Sequence, residues 1–135
     1  MLHIGQPNQL TILRKTSVGL YLGDEEGNDI LLPNKYCTDE MHIGERVDVF
    51  VYKDHEQRWV ATTLTPRAKI NEFAYLRVKS ASDLGAFLDW GLEKDLFVPF
   101  REQNQKMVQG QSYVVYLYED KQTQRLAASA KLNRF

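Results

Sequence analysis

The feature that most constrains this sequence is an internal duplication with a spacing of 66 residues, by which Gly19 recurs as Gly85, and of 67 residues in the fifth strand, by which Arg58 recurs as Arg125. A chain of 135 residues would suit one domain, but self-similarity at a fixed spacing indicates two copies of one structural unit. We predict that the first copy spans residues 1–66 and the second copy spans residues 70–135. The junction, residues 67–69, is too short for a flexible linker.

Each copy contains five short stretches with the composition of β-strands. In the second copy Leu76 and Val78 alternate with Arg77 and Lys79, which is the period of a half-buried strand. A longer connection without alternation follows the third strand of each copy. This is the element order of the OB fold, a five-stranded Greek-key barrel. The sequence therefore predicts an all-β protein of two tandem five-stranded OB-fold barrels, with an SH3-like small barrel as the alternative.

Composition argues against several classes of function. No run approaches the roughly 20 apolar residues of a membrane helix, and no signal peptide is visible at the start of the sequence. Cys37 is the single cysteine, which excludes a disulfide framework and fits a cytoplasmic protein. The three histidines lie at no metal-ligand spacing with it, and there is no glycine-rich phosphate loop. We therefore expect no enzyme activity, no metal and no cofactor.

The charge is distributed unevenly along the chain. The formal net charge is −1, yet residues 1–66 carry ten acidic and six basic residues. The junction carries two basic residues, and residues 70–135 carry nine basic and eight acidic residues. A polyanion is therefore expected to prefer the junction and the second copy.

The second copy resembles the S1 domain, the RNA-binding repeat of the largest protein of the small ribosomal subunit. The matching stretches are residues 84–91, residues 95–99, Gly110 and residues 125–131. The first copy resembles this family less closely, with Tyr21 in the place of Phe87. The resemblance implies an S1-like OB fold and RNA binding.

The tandem as a whole resembles the start of the conserved virulence factor B family of bacterial RNA-binding proteins. The stretches that carry this resemblance are residues 19–22, 30–33, 49–52, 61–63, 72–76 and 85–92. Members of that family are longer, with a further S1-like unit and a winged-helix-like end. The resemblance implies that this chain is a fragment of a longer protein with further domains, and that RNA binding serves post-transcriptional regulation.

The S1 resemblance also implies a set of RNA-binding residues. An aromatic residue follows Gly-Ala in S1 domains, and an Asp and an Arg flank the last turn. Together with nearby cations, the predicted set is Phe87, Arg77, Lys79, Arg125, Lys131, Asp120, Tyr21 and Arg58. The chain departs from the family pattern at two positions, because Leu84 replaces an aromatic residue and Pro99 replaces a histidine.

Strand alternation gives the central aromatic residue a physical role. If Ala86 and Leu88 face the core, Phe87 faces outward. Stacking a base on an exposed ring is worth about 1–3 kcal/mol and tolerates any sequence. Arg77 and Lys79 would supply phosphate contacts beside the ring. The alternative role is structural, with Phe87 packed under a loop or against the first copy.

The resulting functional prediction is binding of single-stranded RNA, with single-stranded DNA as the other nucleic-acid candidate. The alternative is a protein-interaction or scaffolding module with a protein partner, in which Tyr116 and Tyr118 belong to an exposed apolar patch. Oligosaccharide binding is a third candidate that rests on fold analogy alone. A basic surface around Phe87 would favour RNA, and an apolar patch ringed by mixed charge would favour a protein.

Overall fold

The computed structural model describes residues 1–54 and 56–134, without the side chain of Arg134. The chain divides into two compact units, Met1–Thr65 and Pro66–Phe135. Every regular element longer than three residues in the described part of the chain is a β-strand.

The first unit is a closed five-stranded barrel. Its strands are β1 (Gln6–Lys15), β2 (Gly19–Gly23), β3 (Asp29–Pro33), β4 (Arg46–Lys53) and β5 (Trp59–Thr62). The strand order is β1-β2-β3-β5-β4, and β1 closes the barrel by pairing with both β2 and β4. All neighbouring strands are antiparallel except β3 and β5, which are parallel.

The second unit repeats this arrangement. Its strands are β6 (Phe73–Ala81), β7 (Gly85–Asp89), β8 (Leu96–Pro99), β9 (Ser112–Glu119) and β10 (Leu126–Ser129). They pair in the order β10-β9-β6-β7-β8, and the two end strands β8 and β10 lie beside each other. The prediction of an all-β protein with two five-stranded barrels of the OB type is confirmed.

The core of each unit comes from alternate residues of the strands. Leu22 on β2 and Leu88 on β7 are equivalent positions, and both are completely buried. On β7 the residues on either side of Leu88 face outward. One of them, Phe87, keeps 37% of its surface exposed. Because successive side chains of a strand point to opposite faces, burying Leu88 places Phe87 on the outer surface of the barrel.

The connections follow the sequence pattern as well. Gly5 and Asn71 precede the first strand of their units, and both have positive φ angles, 72° and 66°. Gly and Asn are the residues that adopt this conformation with least strain. The connection after the third strand contains a short 3-10 helix in each unit, Asn34–Tyr36 and Phe100–Glu102.

An irregularity in the first strand of each unit determines what lies opposite the exposed ring. The register between β1 and β2 shifts between Ile12 and Arg14, and the register between β6 and β7 shifts at the equivalent place. A shift of this kind is a β-bulge, in which one extra residue lies on one strand. It pairs Arg14 with Tyr21 in the first unit and Ser80 with Phe87 in the second.

Candidate nucleic-acid interface

The outer face of β7 and β8 carries a pair of aromatic rings. Phe87 and Phe97 are directly opposite each other on the two strands. Their ring centroids are 5.1 Å apart and the ring planes are inclined by 39°. Phe97 is half-buried, while Phe87 is exposed. We call these two residues the aromatic pair; they offer adjacent π surfaces to a planar ligand.

Gly85 makes room for the aromatic pair. A Cβ atom at this position would lie 2.6 Å from Cε1 of Phe97 and 2.5 Å from the carbonyl oxygen of Val98. Real Cβ atoms do not approach other heavy atoms so closely, so any side chain here would displace the ring or strand β8. The glycine before Ala86 therefore allows the Phe97 ring to lie over the backbone of β7.

The substitution Gly85→Ala is expected to destabilise the second unit by about 1–3 kcal/mol, the usual cost of overpacking a well-packed site. The added methyl group must push away the Phe97 ring or the backbone of Val98. Urea denaturation followed by the fluorescence of Trp90, which is buried in this unit, measures the effect. A change in unfolding free energy below about 0.5 kcal/mol, as at an ordinary surface position, would contradict this prediction.

The predicted cations on β6 lie on the same side of the barrel as Phe87. Arg77 is paired in register with Asp89 of β7. Lys79, the bulged residue, places its Nζ 3.2 Å from Oδ1 of Asp95. Part of the predicted positive surface is thus neutralised within the unit.

The remaining predicted residues of the second unit lie at the two ends of β10. Asp120 accepts hydrogen bonds at Oδ1 from the backbone N–H groups of Gln122 and Thr123, so its carboxylate holds the turn before β10. Arg125 directly precedes β10, and Lys131 follows it after one residue, Ala130. Since β10 lies beside β8, these two cations lie at opposite ends of the strand next to Phe97. Within residues 1–54 and 56–134, no ion pair involves the side chain of Arg77, Arg125 or Lys131.

The equivalent face of the first unit is arranged differently. Tyr21 occupies the position of Phe87, and the guanidinium carbon of Arg14 lies 4.3 Å from the centroid of its ring. Nη2 of Arg14 also donates a hydrogen bond of 2.8 Å to Oδ2 of Asp29. The outward face of this ring is therefore covered by a cation that an acid holds in place.

Arg58 of the first unit, another predicted RNA contact, is engaged by two acids. Its Nε lies 3.1 Å from Oδ2 of Asp54 and its Nη2 lies 3.0 Å from Oε2 of Glu56. Burial raises the pKa of Asp54, but hydrogen bonds from the backbone N–H groups of Arg58 and Glu56, and from the Arg58 guanidinium, outweigh it and lower the pKa. In the described part of the second unit, Asp120 holds its own turn in the same way, but no ion pair joins it to Arg125.

The acidic turn between β2 and β3 forms no metal site. Asp24 accepts hydrogen bonds from Asn28 and from the backbone of Glu26, and the amino group of Met1 lies 2.7 Å from Oε1 of Glu25. Burial raises the pKa of Asp24, but these donors outweigh it and hold the pKa well below its usual range. Hydrogen bonds to Glu25 and Asp24 raise the pKa of the amino group to about 10. In the described part of the chain, no cluster of His, Cys, Asp or Glu could hold a metal ion.

A second exposed surface lies on β6 and β9 of the second unit. Phe73 and Tyr75 are exposed on β6, opposite Tyr116 and Val114 of β9. The rings of Phe73 and Tyr116 meet edge to face with centroids 4.9 Å apart, and the Tyr116 hydroxyl donates a hydrogen bond to Asn71. We call these four residues of β6 and β9 the apolar patch. It is the kind of surface that the protein-interaction alternative requires.

Sequence reasoning missed Phe97. The signal was present, because Leu96 and Val98 alternate with Phe97 and are buried, so Phe97 must face outward. The first unit has Leu31 at this position, so the aromatic pair belongs to the second unit alone. The candidate interface therefore contains one more ring than the family resemblance implied.

Two five-stranded units of OB topology, the second of which carries an aromatic pair on the outer face of its second and third strands, define the class of OB-fold binding modules. The S1 domain family model matches residues 4–64 and residues 72–131, one match for each unit. The chain therefore belongs to the S1 domain family. S1 domains are binding modules, and the family supports a general nucleic-acid-binding role.

Two known proteins illustrate the relationship. The uncharacterized protein YitL of Bacillus subtilis (strain 168) is 36% identical over 95 residues, which cover 70% of this chain and 32% of that protein. A crystal structure of a multidomain protein with nucleic acid binding domains from Streptococcus pneumoniae TIGR4 superposes with a TM-score of 0.73 at 23% identity. That match covers 94% of this chain and 45% of the pneumococcal chain, so this chain spans less than half the length of either relative. The structural match to the pneumococcal protein shows a shared fold.

Two narrower predictions remain predictions. The resemblance to the conserved virulence factor B family, with its role in regulation, lies beyond what these matches show. The same holds for a cytoplasmic location. None of the helices in residues 1–54 and 56–134 has the length and apolar character needed to cross a bilayer.

Proposed function

We propose that this chain binds single-stranded RNA, and that the second unit is the part that binds it. The observation that carries the proposal is the aromatic pair on the outer face of β7 and β8. Bases of a single strand stack on such rings, while unpaired cations contact the phosphates. Phe87 and Phe97 supply the stacking surface, and Arg77, Arg125 and Lys131 supply the charge.

The difference between the two units supports the choice of the second. Phe87 has Ser80 opposite it, so no long side chain from β6 covers the ring. Tyr21 has Arg14 opposite it, and this cation lies over the ring. The formal charges agree with this choice, because the first copy is strongly acidic and the second is nearly neutral.

Fluorescence anisotropy of a labelled single-stranded oligoribonucleotide tests the proposal at two salt concentrations. We expect salt-sensitive binding by the native chain, because the protein's basic side chains release the cations that are bound to the phosphates. Phe87→Ala is expected to weaken the binding about fivefold or more, because stacking one base is worth about 1–3 kcal/mol. Arg125 and Lys131 are expected to contribute to the salt dependence.

Tyr75→Ala is the matched control, because Tyr75 is an exposed ring of the same unit on a different pair of strands. We expect this variant to bind RNA as the native chain does. Equal losses of RNA affinity in both variants, or no loss of affinity in Phe87→Ala, would show that the RNA-binding site lies elsewhere. A DNA oligonucleotide of the same sequence then shows whether the site prefers RNA.

The apolar patch supports a second candidate function, binding of a protein partner. Its four residues replace Pro7, Gln9, Asp48 and Phe50 of the first unit, so two polar positions have become apolar and exposed. No binding of RNA by the native chain at low salt would favour this candidate. RNA binding, if present, would then belong to another part of a longer protein.

A further inference from the structure

We infer that Arg14 closes the base-stacking face of the first unit and so restricts RNA binding to the second unit. The inference rests on the proposed function, and it adds a specificity-determining residue that lies outside the binding unit. It assigns different roles to two copies of one fold.

Register puts Arg14 in the required place. The bulge in β1 makes Arg14 the direct cross-strand partner of Tyr21, just as Ser80 is the partner of Phe87. Its guanidinium carbon lies 4.3 Å from the ring centroid, in a cation–π contact that fills the space a stacked base would need. A base and this guanidinium cannot both occupy the outward face of the Tyr21 ring.

Asp29 holds the cation in that position. Its Oδ2 accepts the 2.8 Å hydrogen bond from Nη2 of Arg14. The equivalent acid of the second unit, Asp95, binds Lys79 instead, and Lys79 is the bulged residue rather than the residue opposite the ring. The carboxylate at this position therefore holds a cation over the ring in the first unit. In the second unit it binds a cation that does not lie opposite the ring.

A transplant of three residues tests the inference. L13K, R14S and L31F together give the first unit the residues that the second unit has at positions 79, 80 and 97. The net charge is unchanged, since one cation is added and one is removed. Gly19, like Gly85, has no Cβ, so the new ring has room to lie over the backbone of β2.

RNA binding by the triple variant is best measured in a chain that also carries F87A, because this substitution weakens the site of the second unit. We expect the combined variant to bind the labelled oligoribonucleotide at least fivefold more tightly than F87A alone. Adding Y21A should remove this gain, which shows that the new binding uses the uncovered ring. In a chain with native Phe87, the transplant should raise the number of oligonucleotides bound per chain from one to two.

Two outcomes would overturn the inference. With a folded transplant, confirmed by circular dichroism, no gain over F87A would show that Arg14 does not limit binding. Weaker RNA binding by R14S alone would show that Arg14 contacts RNA and that the first face already binds. Failure of the proposed function is distinguishable, because binding would then be absent or independent of Phe87 in the parent chain.

Discussion

Removal of both rings of the aromatic pair, Phe87→Ala with Phe97→Ala, is expected to weaken binding of single-stranded RNA at least thirtyfold. Each stacked base contributes about 1–3 kcal/mol, so two rings together contribute about 2–6 kcal/mol, and every 1.4 kcal/mol is about a factor of ten. Phe87 is exposed and Phe97 is half-buried, so the unfolding free energy of the variant is measured alongside its affinity for RNA. Anisotropy titration of the same labelled oligoribonucleotide measures it.

The double variant Phe73→Ala with Tyr75→Ala is the control for this experiment. It removes two aromatic rings from the same unit, and more exposed ring surface than the aromatic-pair variant does, but from the apolar patch on β6 and β9. We expect its affinity for RNA to match that of the native chain. If the control loses as much affinity as the aromatic-pair variant, the rings act through general hydrophobicity and the proposed interface is wrong.

Leu88→Ala is expected to lower the free energy of unfolding of the second unit by about 2–5 kcal/mol and to abolish RNA binding. Leu88 is completely buried, and removing a buried leucine side chain leaves a cavity as well as losing apolar contact. The core of a unit this small supplies only about 3–5 kcal/mol of stability. One truncation therefore brings the unit close to unfolding.

The equivalent substitution in the first unit, Leu22→Ala, separates the contributions of the two units. Leu22 is also completely buried, so the expected loss of stability is similar. We expect this variant to keep its affinity for RNA, because the proposed interface lies in the second unit. Hydrogen exchange identifies which unit opens in each variant. Loss of RNA binding in Leu22→Ala would show that the first unit takes part.

Strand alternation carried much of the fold prediction. The period of two in β7 predicted that Ala86 and Leu88 face the core while Phe87 faces out, and the burial of the three residues agrees. The duplication added independent support, because a turn placed in one copy implied a turn at the equivalent place in the other. Gly5 and Asn71 show this, since both have the positive φ that a shared turn requires.

The site was harder to predict because its members come from different strands. Alternation shows that a side chain faces outward, but not what lies beside it. Phe97 was missed because its partner, Phe87, is ten residues away and meets it only through the antiparallel register of β7 and β8. Asp120 was assigned to the interface, yet in the structure its carboxylate accepts the hydrogen bonds of its own turn.

The sequence by itself determined that the chain consists of two equivalent β units and which ring of each faces solvent, because duplication and strand period are local properties of the chain. Only the tertiary structure decided what covers each ring. Arg14 reaches Tyr21 because a bulge shifts the register of β1 by one residue, and the equivalent bulge in β6 places Ser80 beside Phe87. Contacts across strands depend on register, and a shift of one residue changes which side chains meet.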